Sequence, residues 1–445
     1  MDAAAGRTEG ADQQAGRSQV VGPSKPRLLG LLGPGLISGA ADDDPAAIAT
    51  YAQAGAKFGF GLCWLMPLIY PLMAVVQEIS ARIGRTTGQG LAGNIRRHYP
   101  GWFLLGSVGL LTAANGVAIT ADLSAMADAV RLLVGGPHLL YVPLLGLFCV
   151  LTQVFMRYTR YVSVLKWTTL SLLAYFGAVL MVDVRWGELA GALVRPPLSL
   201  ERDYVGMVVA VLGVALSPFI FFWQASQEVE DQRVKPKREP LVEAPEQAPR
   251  AIERIRIDTY VGMAVASLFG LAIMITTAAT LHANGVREIA TSAQVAEALR
   301  PVAGPFAVAV FATGIVGTGL LAVPVLAGSA AYAIGEARRW PVGLARAPLE
   351  AKAFYGTVAA ATLAGVAANF AGIDPIRALY WSAVVNGVVA APVLATMTLL
   401  ASRRDVMGEF AIGTALKVGG WIATAATTAA VVAMVVTAVL GSSGS

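Results

Sequence analysis

Apolar runs of roughly 20 residues recur along the whole chain, broken by short polar or glycine- and proline-bearing stretches. A helix of about 20 residues crosses a hydrocarbon core of about 30 Å, so the pattern predicts a multi-span helical membrane protein. Eleven spans are expected, at 29–56 (interrupted), 60–82, 102–131, 138–156, 161–183, 204–230 (interrupted), 258–282, 304–334, 353–371, 376–401 and 414–440. Between the second and third, Leu91-Ala92-Gly93-Asn94-Ile95-Arg96-Arg97 is expected as a short interfacial helix. Residues 231 to 257, with Lys235, Pro236, Lys237 and Arg238, read as a polar connection.

Two spans are interrupted in the same way. The first contains Asp42-Asp43-Asp44 followed by Pro45, with Gly33, Pro34, Gly35 and Gly39 just before. The sixth contains Gly213-Val214-Ala215-Leu216-Ser217-Pro218-Phe219. Proline removes a helix hydrogen bond and clashes with the preceding turn, so both helices are expected to break there. Paired broken helices five spans apart are the mark of an inverted-repeat transporter with its site at the midplane. The expected organisation is a cytoplasmic tail over 1–27 and one transmembrane domain over 28–445. Its repeats are 28–183 and 204–401, with an extra helix at 414–440.

Composition narrows the class. The 445 residues are 56% hydrophobic and 14% charged, and the mean hydropathy is +0.64, far more apolar than an average soluble chain. Residues 1–27 are polar and contain no apolar h-region, so no cleaved signal peptide is expected and the tail reads as disordered. With the amino terminus in the cytoplasm, 23 Lys and Arg fall inside and 8 outside, which is the orientation the positive-inside rule favours. An odd span count then puts the carboxyl terminus outside. The net charge of +5 reflects these basic loops, and no nucleic-acid partner is expected. Cys63 and Cys149 both lie in spans, and the three histidines, His98, His138 and His282, are dispersed. Neither a disulfide framework nor a histidine-rich metal site is supported. No phosphate loop, zinc-peptidase motif or nucleophile–base constellation stands out, so the chain is not expected to be an enzyme.

Carboxylates at membrane depth are costly, and a cation or proton path is their usual reason for being there. A helix break leaves carbonyls without intrahelical partners. Carbonyls together with aspartates form a hard oxygen site for a metal cation. Asp44, next to the proline, is the leading candidate ligand, then Asp43; Asp42 is the candidate for an aqueous entrance. Ser217, at the second break, is a candidate for direct or water-mediated contact with the ion, with capping of freed backbone groups as the other reading. Asp122 and Asn115, seven apart on one helix face, are candidates for a vestibule or relay, with interhelical hydrogen bonding as the other reading. Asp128 is expected to be solvated near the outer end. Gln224, Gln227 and Glu228 read either as an exit path or as a solvated helix end. Gly314, Gly317, Gly319 and Gly328 are expected to permit close helix packing.

Several stretches resemble the natural resistance-associated macrophage protein (NRAMP) family of divalent-metal transporters. They are Gly33-Pro34-Gly35, Asp44-Pro45, Ala49-Thr50, Gln53-Ala54-Gly55, Gly59-Phe60-Gly61-Leu62-Cys63-Trp64 and Thr120-Ala121-Asp122-Leu123. The resemblance implies an all-α membrane protein with a LeuT-type 5+5 inverted repeat, about eleven helices, and the first and sixth broken. It also implies that the tenth span packs near the break, which makes Asn386 a candidate to complete the site, with interhelical hydrogen bonding as the other reading.

The departures are equally specific. Where the family typically reads Asp-Pro-Gly-Asn, this chain has Asp44-Pro45-Ala46-Ala47. Where it reads Met-Pro-His, the chain has Ser217-Pro218-Phe219; a second family histidine falls at Gln224 and a glutamate at Ala125. These changes resemble a divergent NRAMP-related branch that includes magnesium transporters. Loss of the thioether and imidazoles disfavours soft transition metals. The expected substrate is Mg²⁺ or Mn²⁺, with proton coupling weak or absent. No cofactor is expected. The partners are the bilayer, with the plasma membrane as the expected location, and the metal ion. The oligomeric state stays open, a monomer included. An organic-cation or amino-acid symporter of the same fold, or a non-transporting sensor, are the alternatives.

Overall fold

The computed structural model describes residues 39, 42–156, 173–235, 237–372 and 374–442. The expected tail, most of the first half of the first span and the start of the 161–183 span lie outside them. The described chain is helical: α1 Pro45–Phe58, α2 Leu65–Thr87, α3 Leu91–His98, α4 Gly101–Val134, α5 His138–Phe155, α6 Leu173–Met181, α7 Trp186–Val194, α8 Arg202–Ala215, α9 Pro218–Val234, α10 Ala248–Thr277, α11 Ala307–Arg338, α12 Lys352–Asn369, α13 Pro375–Ser402 and α14 Thr414–Ser442. Among the described residues seven helical segments are long and apolar enough to cross a membrane. The pair Pro45–Leu62 and Leu65–Thr87, bent by 113°, makes an eighth candidate.

Both expected interruptions are present. Asp44 is the N-cap of α1 and Pro45 its first residue; Ser217 holds the same place before Pro218 at the start of α9. Proline suits the first helical position, because its missing N–H would be unpaired there anyway. The chain therefore restarts a helix at each break. At the other end of α1, Gly59 has φ +58°, and an added Cβ would also press to 3.0 Å from His282 Nε2.

Small residues set the closest crossings. A Cβ on Gly213 of α8 would sit 2.0 Å from the Ala383 carbonyl oxygen and 2.5 Å from the Gly387 amide of α13. Gly84 of α2 faces the Ala225 carbonyl of α9 in the same way at 2.2 Å, and Ser80 donates to the Phe221 carbonyl at 2.5 Å. Gly319 and Gly328 of α11 lie tight against Met126 and Trp223, as expected for packing glycines. The broken α8–α9 pair is thereby held between α13 and α2.

Three expectations are corrected. The 231–257 connection is shorter, because α9 runs to Val234 and α10 begins at Ala248. The α3 helix is docked on protein: Leu91 to Ile95 are buried, and Gly93 donates its amide to Glu336 Oε2 of α11 at 2.9 Å. Asp128 is buried and pairs with Arg131 at 2.9 Å, an i,i+3 partner that offsets its removal from solvent.

Candidate cation site

At the first break the backbone of Asp43 and Asp44 leaves the helix, and α1 begins at Pro45. Asp44 is only 3% exposed, and its Oδ1 accepts the Ala47 amide at 2.7 Å. One carboxylate oxygen thus caps an otherwise orphaned helix N–H. The amino end of a helix also carries partial positive charge, which favours an anion there. Asp42 and Asp43 are equally buried, and Asp42 Oδ1 has no hydrogen-bond partner. Tyr51, two turns into α1, stands close enough to feel all three charges.

Asp122 is brought to the same place by α4. It is completely buried, neither carboxylate oxygen has a hydrogen-bond partner, and it lies beside Ala46 within electrostatic reach of Asp44. Packing fixes this: Met126, one turn along α4 from Asp122, touches Gly319 of α11, and Gly319 in turn faces Pro45 Cγ. Among the described residues none of Asp42, Asp43, Asp44 and Asp122 forms an ion pair with a Lys, Arg or His. Buried carboxylates without a counter-charge demand a cation or a proton.

The second break contributes differently. Ser217 Oγ donates to the Gly213 and Val214 carbonyls, both at 2.8 Å, capping the end of α8 and leaving its lone pairs uncommitted. Asn386 of α13 is buried, its Oδ1 has no hydrogen-bond partner, and it precedes the Gly387 that crosses α8 just before the break. Asn115 does not join the acids: its Nδ2 donates to the Leu326 carbonyl at 2.9 Å and Ser329 Oγ at 2.8 Å, stapling α4 to α11. Gln224 is buried; Gln227, one turn on, is partly buried with Nε2 unbonded. Glu228 pairs with Arg254 of α10.

Sequence reasoning did not find Met126 and Gly319 beside the acids. Met126 was legible as the i+4 neighbour of Asp122; Gly319 needed the tertiary crossing. Glu230 belongs to the polar stretch that follows the second break, but its partners needed the tertiary structure: it accepts from Tyr332 Oη at 3.2 Å and the Ala345 amide at 2.8 Å and so ties the end of α9 to α11.

No three His, Cys, Asp or Glu side chains converge as a ready cage among the described residues. An ion held here therefore relies on one or two carboxylates, backbone carbonyls and retained water, a mode suited to a hard divalent cation. Above the first turn of α1 a vestibule of about 300 Å³ opens, with Thr50, Gln53 and Lys57 on one wall and Asp203, Arg377 and Tyr380 on the other. Lys57 reaches Asp203 at 2.6 Å across it. A separate cavity of about 10 Å³, lined by Ile48, Ala125, Ile315 and Leu379 among others, shares Ala49 and Ile376 with the vestibule.

Residues 35–437 match the family model described as natural resistance-associated macrophage protein-like. The chain is 28% identical over 405 residues to the divalent metal cation transporter MntH of Aeromonas hydrophila, covering 87% of this chain and 91% of that one. The MntH of Klebsiella pneumoniae is 26% identical over 409 residues, covering 89% and 91%. Among solved structures, the manganese transporter of Eremococcus coleocola in complex with an aromatic bis-isothiourea compound superposes with a TM-score of 0.70 at 15% identity, covering 94% of this chain and 90% of that one. MhsT in complex with L-phenylalanine gives 0.54 at 12% identity, covering 91% and 97%. The fold is the all-helical LeuT-type membrane fold. The chain belongs to the NRAMP-like family, a family of transporters rather than enzymes.

Proposed function

We propose that this chain is a secondary transporter carrying a divalent metal cation, Mg²⁺ or Mn²⁺, across the membrane by alternating access. The observation that carries the reading is the pair Asp44 and Asp122, both buried, within electrostatic reach and without a basic partner. The relatives add weight, being divalent metal cation transporters and, among structures, a manganese transporter. Asp44 binds the ion directly, with Asp43, Ser217 and Asn386 as further ligands or water-mediated contacts. Asp122 is the second charge of the site. Asp42 lines the approach, and Gln224, Gln227 and Glu228 the inner half of the path; Asn115 holds the scaffold. The amino terminus is cytoplasmic and the protein resides in the plasma membrane.

The oxygen-only donor set supports a hard ion. Phe219 and Gln224 stand where the resemblance places imidazoles, which supports weak or absent proton coupling. A zwitterionic amino acid would bring its own carboxylate beside several aspartates, so that alternative is disfavoured.

The test is flux into liposomes holding the purified protein, with Mg²⁺, Mn²⁺, Ca²⁺ and Zn²⁺ offered singly and internal pH recorded. Mg²⁺ or Mn²⁺ should enter with little proton movement. If divalent ions neither enter nor compete while an organic cation or amino acid does, the metal reading fails. If nothing enters, the sensor reading gains.

A further inference from the structure

A second cavity, remote from the aspartates, lies at the polar ends of α2 and α10. Its volume is about 500 Å³, and its wall includes Arg85, Arg238, Arg250 and Arg254, with Glu246 and Gln247. Four guanidinium groups around one space repel one another unless something negative offsets them. Arg254 is paired with Glu228 and Arg238 with Asp231. The other two form no ion pair among the described residues. Arg85, only 2% exposed, hydrogen-bonds to neutral acceptors, the Glu239 carbonyl at 2.5 Å and Gln247 Oε1 at 2.7 Å, with Glu228 and Asp231 within electrostatic reach but not paired with it. Arg250, exposed on the rim, has no hydrogen-bond or carboxylate partner among the described residues.

We infer that this cavity binds a phosphate-bearing anion. Guanidinium groups match phosphate oxygens in fork geometry and keep their charge at any physiological pH. The volume lies in the range of small-molecule sites and exceeds what one inorganic phosphate fills, so a nucleotide or a phospholipid headgroup is the class of ligand. Arg85 supplies a charge at the floor, held by two hydrogen bonds, and Arg250 supplies an exposed one at the mouth. The segment from Arg233 to Arg256 adds Lys235, Lys237 and Arg256 to the same region of sequence, which draws anions toward it.

The experiment uses the full chain and reads binding, so it stands apart from transport. In one arm, detergent-solubilised protein is dialysed against radiolabelled ATP with divalent ions chelated, which keeps the ligand away from the aspartate site. In the other, the protein is placed in nanodiscs of phosphatidylcholine with or without phosphatidylglycerol, and the lipid retained on repurification is quantified. Saturable ATP binding identifies a soluble phosphate ligand; selective retention of phosphatidylglycerol identifies a headgroup. In whichever arm binds, Arg250→Glu should weaken binding about tenfold or more at an unchanged melting temperature, because Arg250 is exposed and makes no hydrogen bond or ion pair among the described residues. Arg85→Gln should weaken it as well. Absence of saturable binding in both arms, or binding equal in wild type and Arg250→Glu, overturns the inference.

Discussion

The Ala47 amide donates to Asp44 Oδ1 at 2.7 Å, so the residue standing where NRAMP relatives typically carry a ligating asparagine contributes only its backbone, and that to the aspartate. Asp44 has two separable tasks, capping α1 and presenting charge. Asp44→Ala removes both and should cost about 1 kcal/mol of stability through the lost cap. Asp44→Asn keeps a good capping side chain and should melt within about 0.5 kcal/mol of wild type. Thermal melts of the two variants in detergent check the difference.

Ion preference should follow the two departures from the family pattern. Ala47→Asn with Ser217→Met adds an amide oxygen and a thioether, and the softer donor favours softer ions. Cd²⁺ should then inhibit Mn²⁺ uptake more strongly than in wild type, and Mg²⁺ flux should fall. Ala47 is fully buried, so the larger side chain should also cost about 1–3 kcal/mol by overpacking. Competition assays on the double variant read the outcome; an unchanged Cd²⁺ effect would remove Ser217 from the site.

Asn115 separates scaffold from relay. Its bonds to Leu326 and Ser329 cross from α4 to α11, and interhelical side-chain hydrogen bonds of this kind contribute about 0.6–2 kcal/mol. Asn115→Leu should lower the melting temperature while flux per folded molecule stays near wild type. A stable Asn115→Leu that no longer transports would return Asn115 to the ion path.

The crossing before the second break is tested by Gly213→Ala. The new Cβ would meet the Ala383 carbonyl and Gly387 amide, both backbone, so the α8–α13 contact must open. Strong destabilisation, about 1–3 kcal/mol or more, should follow. Gly116→Ala in α4, where an added Cβ meets nothing within 4 Å, should be tolerated or slightly stabilising. Yield and melting temperature of the pair give the comparison.

Legibility in sequence followed locality. Asp44-Pro45 and Ser217-Pro218 announce both breaks, because a small polar residue before proline is a helix start written in adjacent positions. Apolar runs such as 138–156 and 376–401 return almost unchanged as α5 and α13. What the chain hides is contact between distant segments. Asp122 looks like an isolated acid in an apolar helix until Met126, Gly319 and Pro45 bring it to Asp44. Glu228 resembles a solvated end until Arg254 reaches it. The start of α10 was read as loop because charged side chains occupy its first turns, and those charges are paired or solvated at the end of the bundle.

The central claim is that Asp44 carries the transported cation, and the most direct measurement is Mg²⁺ and Mn²⁺ flux into liposomes for wild type and Asp44→Asn at matched insertion. The account predicts uptake by wild type and its loss in Asp44→Asn, with the variant still folded. Equal uptake by the two proteins would contradict it and place the ion elsewhere in the membrane.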